Sequence, residues 1–169
     1  MGVVALAVLV ALIAWIATRD DGDDSGSATP VETGARIVSA SELSEAAASL
    51  GTPIYWVSEV QGTELELTEG GARVRYVPEG TEPGGGSTEV LSISSYPLAD
   101  PAAFLEGFAK RPGAIVREAG DGREVVSSEE APTSVYFASP DNSVQVEIYD
   151  PSPARAMSLA LSGRVQPVP

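Results

Sequence analysis

Apolar residues fall into three patterns along this chain: one unbroken run at the start, short stretches with helical spacing, and short stretches that alternate with polar residues. The run from Gly2 to Thr18 carries no charge and is at the short end of what crosses a bilayer as a helix. Ser39-Ala-Ser-Glu42 has the form of a capping box; Leu43, Ala46, Ala47 and Leu50 follow at helical spacing, and Gly51 supplies the stop. Asp100-Pro101 opens a second helix through Arg111, with Phe104 and Phe108 on one face, Lys110-Arg111 at the C-terminal dipole and Pro112 ending it. Ser152-Pro153 opens a third helix carrying Met157, Ala160 and Leu161, stopped by Gly163.

The alternating stretches predict strands. Ile54–Val57 is one, and Glu64–Thr68 with Arg73–Val77 forms a hairpin about Gly70-Gly71. That turn sets Leu67 against Val74 and Leu65 against Tyr76 on one side, with Glu66 against Arg75 on the other, so apolar and charged sets separate. Past a Gly/Pro-rich connection over 78–88, Glu89–Tyr96 is a further strand. Ala114–Glu118 and Glu124–Ser128 form a second hairpin about Asp121-Gly122, and Ser134–Ser139 with Val144–Tyr149 a third about Asp141-Asn142. In the third, Ser139, Phe137 and Val135 face Val144, Val146 and Ile148. Clustered hairpins with separate helices predict an α+β fold: an antiparallel sheet with short helices packed on one face, arranged as two similar helix-plus-four-strand halves and preceded by one transmembrane helix.

The apolar start has no basic leader, no well-placed pair of small residues for cleavage and no lipid-accepting cysteine, so it reads as a retained anchor. Residues 19–38 begin RDDGDDSGSATPVETGA and predict a flexible acidic linker. The domains expected are thus an anchor over 1–18, the linker over 19–38 and one α+β domain over 39–169. Within the linker, Asp21, Asp23, Ser25, Gly26 and Glu32 match the spacing of a calcium loop, but Pro30 interrupts it and no clear exiting helix follows, so a solvated spacer is the better reading.

Composition narrows the chemistry. With 24 acids against 10 bases the net charge is −14, which opposes nucleic acid and anionic lipid surfaces. Cysteine and histidine are absent, which removes thiol chemistry, imidazole catalysis and the usual zinc, copper and haem ligands, and no cofactor is expected. Lys110, the single lysine, sits at a helix end as a dipole partner, and Glu129-Glu130 read as solvated loop residues. Asp150 to Pro153 reads as a helix start. If helices cover one face only, Tyr136 and Tyr149 lie exposed beside Glu147 on the face opposite the Val135/Phe137/Val146/Ile148 stripe, a candidate partner contact.

The stretches SASELSEAAASLGTPIYWV and PTSVYFASPDNSVQVEIYDPSPARAMSLALSGRVQPV resemble a set of uncharacterised single-pass bacterial proteins with an extracytoplasmic α+β domain, most closely over Pro132–Tyr136 and Val144–Pro153. The resemblance implies an outer-face domain and carries no catalytic residues. Arg19, on the C-terminal side of the anchor, argues the other way on charge alone. The expected function is a membrane-tethered, non-catalytic binding or accessory domain whose partner is an envelope protein or a small ligand. Two rivals are the outer part of an anti-sigma-like regulator with a start upstream and, from another class, a hydrolase using carboxylates.

Overall fold

The computed structural model describes residues 34–68, 73–84 and 89–169. The apolar run 2–18 and the calcium-like spacing at Asp21, Asp23, Ser25 and Glu32 lie outside the described residues, among which no helix is long and apolar enough to cross a membrane. The fold is α+β, with eight strands in one sheet and three short helices. In chain order the elements are β1 (Arg36–Val38), α1 (Ala40–Leu50), β2 (Tyr55–Trp56), β3 (Thr63–Thr68), β4 (Arg73–Pro78) and β5 (Ser92–Pro97). There follow α2 (Pro101–Ala109), β6 (Ala114–Glu118), β7 (Glu124–Ser128), β8 (Ser134–Ser139), β9 (Val144–Tyr149), α3 (Pro153–Leu161) and β10 (Gln166–Pro167).

The large sheet runs β1-β3-β4-β5-β9-β8-β7-β6, every neighbouring pair antiparallel. The registers read from alternation hold. Leu65 faces Tyr76, Leu67 faces Val74 and Glu66 faces Arg75, while Val135, Phe137 and Ser139 face Ile148, Val146 and Val144. A one-residue slip in either hairpin would turn a complete apolar set away from the core, which is why the sequence specifies these pairings.

The helix starts follow their local signals. Ser39 caps α1 in a full capping box with Glu42, and the Glu42 carboxyl is held below its ordinary range by the Ser39 backbone N–H and hydroxyl. Gly51, at φ 63°, ends the helix in the left-handed conformation. Asp100 accepts from the Ala103 N–H to open α2, which stops at Ala109, two residues before the Arg111 that the sequence suggested. At α3 the Ser152 side chain makes no cap bond; the buried Asp150 carboxylate instead accepts from the Ser152 N–H and Arg155 Nε.

Helices pack on both faces of the sheet, not on one. Leu43 of α1 and Ala156 and Ala160 of α3 join the main core with Leu65, Val74, Ile93, Phe137, Val146 and Ile148. Leu105 and Phe108 of α2 pack on the opposite face against Val126, with Tyr136 and Ala138 beside them. The apolar patch there is confined to β6–β8, and one helix of nine residues suffices to cover it.

Three strand assignments differ from the alternation reading. Arg36–Val38, placed in the linker, forms edge strand β1 against β3. Only Tyr55–Trp56 of the predicted Ile54–Val57 strand pairs, and it pairs with β10 outside the large sheet. The strand predicted over Glu89–Tyr96 begins at Ser92 and runs to Pro97. Each half therefore supplies four strands to the large sheet, but the fourth in the first half is β1, from before the helix, and α1 and α2 lie on opposite faces.

Candidate functional site

Two polar assemblies stand out, one on the α2 face and one at the end of the sheet. On the α2 face, Glu147 of β9 is opposite Tyr136 of β8 and Ser94 of β5. Its Oε1 accepts from the Ser134 and Tyr136 hydroxyls and its Oε2 from the Tyr96 hydroxyl, all at 2.9 Å. Burial, reinforced by the negative charge of Glu147, pushes the Tyr96 phenol up to about 12 and the Tyr136 phenol well above its ordinary range. The Tyr136 ring meets Phe108 of α2 edge-on at 5.3 Å.

The structure thus brings Tyr136 and Glu147 together and explains Tyr136 by packing beneath α2. The exposure expected from bare alternation does not arise, because α2 covers this part of the face. Tyr149 lies further along β9 on the same side, paired with Ser92 and Ser134 and half-buried.

The same face continues toward β1 with polar groups that alternation places in solvent but the fold buries. Glu66 is fully buried, ion-paired with Arg75 and accepting from the Gly84 N–H at 2.7 Å, where the β4–β5 connection folds back. Arg73 Nε donates to the Ser94 hydroxyl at 2.9 Å. A charge buried in this way is tolerated only when paired and hydrogen-bonded.

At the end of the sheet the β7–β8 pairing stops at Val125–Phe137, although β8 continues to Ser139. Arg123, just before β7, lays its guanidinium 4.1 Å above the Phe137 ring and pairs with Asp121 at 2.9 Å. Its Nε is buried with no oxygen acceptor, and the ring face beneath supplies the available attraction. Tyr55 approaches Phe137 edge-on at 5.7 Å and donates its hydroxyl to Ser139 at 2.7 Å, while Asn142 Nδ2 donates to both hydroxyls.

Between these residues, the first turns of α2 and Gln166-Pro167 of β10 lies an open cleft of about 960 Å³. Its walls carry Asp100, Glu106, Asp121 and Glu124 against one cation, Arg123, with Leu105, Ala102, Ala103, Pro140 and Pro167 as apolar surface. The volume is that of a small-molecule site.

Lys110 pairs with Glu106 on the exposed end of α2, and Glu129 and Glu130 are exposed in a loop. Among the described residues no cluster of three or more acidic side chains could hold a metal ion. The sequence marked Asp100, Asp121 and Asn142 only as cap and turn residues. Tyr55 and Ser139, which are 84 positions apart, carry no local signal of meeting. No protein-family model, curated protein or solved structure matches the chain.

Proposed function

We propose that this protein is a membrane-tethered, non-catalytic binding domain on the outer face of the membrane, with the end-of-sheet cleft as its ligand site. The observation that carries the non-catalytic reading is the commitment of the interior carboxylates. Glu66 is held by Arg75 and a backbone N–H, Asp150 by Arg155 and a backbone N–H, and Glu147 by three hydroxyls. A carboxylate satisfied in this way serves architecture, whereas a general acid or base needs a proton within reach of substrate. The single lysine, Lys110, pairs with Glu106 on the surface of α2, and the chain has no cysteine or histidine.

The tether rests on the uncharged run from Gly2 to Thr18 and the acidic stretch that follows. The two-halves reading of the fold rests on β3-β4-β5 and β7-β8-β9 as matching meanders that meet at the β5–β9 pair.

The tether is tested by fractionation. The full chain is expected to stay with membranes through an alkaline carbonate wash, and a chain lacking residues 2–18 to appear in the soluble fraction. Release of the full chain by the wash would overturn the anchor.

A further inference from the structure

The geometry points to a second copy of this chain as the partner of strand β6, paired antiparallel about a two-fold axis at Val116. This goes beyond the binding-domain reading and does not depend on it. β6 ends the large sheet and pairs only with β7. The Ala119 N–H donates to the Arg123 carbonyl and the Glu129 N–H to the Gly113 carbonyl, so the odd-numbered residues here turn their backbone groups toward β7. The backbone groups of Ala114, Val116 and Glu118 therefore face outward. Of these three N–H groups, only that of Ala114 has a backbone partner among the described residues, the Arg111 carbonyl at 3.1 Å.

That outward set is self-complementary. With Val116 opposite Val116 of the second copy, the two exchange a pair of N–H to carbonyl bonds, and each Glu118 N–H meets the other copy's Ala114 carbonyl. The donor that this register leaves unused, the Ala114 N–H, is the one already bonded. β6 carries no proline, lysine or bulge, the usual guards of a free edge. Val116 is one of two exposed large apolar side chains among the described residues, and its twin covers it. On the other face Arg117 lays its aliphatic stem along Ile115 of the second copy. Parallel pairing in register sets Arg117 against Arg117 and Glu118 against Glu118, whereas antiparallel pairing carries Glu118 toward the Lys110-Arg111 end of the other strand. The opposite edge of the sheet, β1, is only three residues long.

The chain contains no cysteine, so one introduced thiol reads out the register. Val116→Cys and Glu118→Cys are each prepared in the full chain in detergent micelles and oxidised with diamide. Salt at about 0.15 M screens the repulsion between two chains of net charge −14. In the proposed pair the two Val116 Cα atoms lie about 5.5 Å apart, within disulfide reach, and the two Glu118 Cα atoms about 14 Å apart. Val116→Cys is expected to form the disulfide dimer about ten-fold faster than Glu118→Cys. Adding Glu118→Pro to Val116→Cys removes two outward donors per dimer and spares the β6–β7 bonds, so it is expected to slow the crosslink about ten-fold.

Equal rates at the two positions would mean chance collision or association elsewhere and would overturn the assignment. So would a Val116→Cys thiol that reacts with maleimide but forms no dimer, which leaves the edge to an unlike strand, and one that does not react, which means another segment of the chain covers it. An unchanged rate in the proline variant would remove the strand pairing. The comparison of the two thiols decides the register even if that variant fails to fold.

Discussion

Glu147 shows at the scale of one residue how a strand position that reads as solvent-facing becomes an organising centre. Three hydroxyls from β5 and β8 converge on its carboxylate, and removing the acceptor takes this partner from all three. Glu147→Ala is expected to cost about 2–4 kcal/mol in urea unfolding, and Glu147→Gln, which keeps one acceptor oxygen, roughly half as much. Equal stability of the alanine variant and the parent would contradict the arrangement. The buried phenols add a pH dependence. Tyr76 and Tyr96 keep their protons to about 12, and Tyr136 holds its proton above the ordinary range as well, chiefly through burial, whereas the unfolded chain loses these protons near 10. Above the unfolded value the native state binds more protons, so stability is complete below about pH 10 and falls as pH rises toward 12, by about 1.4 kcal/mol per pH unit for each such tyrosine. Urea midpoints at about pH 9 and about pH 11 check this, and a midpoint that does not move would refute it. At this scale the sequence showed Glu66 opposite Arg75 but not their burial. That depends on the β4–β5 connection returning over them, a contact between Gly84 and Glu66 that no local pattern encodes.

The elements whose signals are local came out as read, and those set by distant partners did not. Ser39 with Glu42 and Asp100 with Pro101 carry their capping chemistry in a few consecutive residues, so α1 and α2 begin where expected. Ser39→Ala is expected to cost about 1 kcal/mol and to leave the fold intact, as measured by thermal unfolding. The separation of β2 from the large sheet depends on β10, over a hundred residues later, and β1 takes the place beside β3 from a stretch too polar to announce a strand. The helix on the second face follows from Leu105 and Phe108 finding Val126 and Tyr136 across the hairpin. Phe108→Ala is expected to cost about 3–4 kcal/mol through the lost apolar contact and the uncovered Tyr136 ring. Amide hydrogen exchange should then rise selectively along α2, and unaltered protection there would contradict the packing.

Across the whole molecule, the sheet keeps an apolar face toward α1 and α3 and a face on which Glu66, Arg73 and Glu147 are hydrogen-bonded within the fold, with a cleft left open where β7 and β8 part. The cleft was the part least legible in the sequence, because it is assembled from turn and cap residues of α2, the β6–β7 turn, the β8–β9 turn and β10. Residue composition limited the chemistry more sharply than any motif did. The claim that a tethered domain works outside the membrane is tested most directly by one introduced thiol, since the chain contains no cysteine. Glu82→Cys places that thiol at an exposed position in the β4–β5 connection, where a membrane-impermeant maleimide is applied to intact cells. Labelling before permeabilisation is the result predicted; labelling only after permeabilisation would place the domain inside, as Arg19 alone suggests, and would contradict the account.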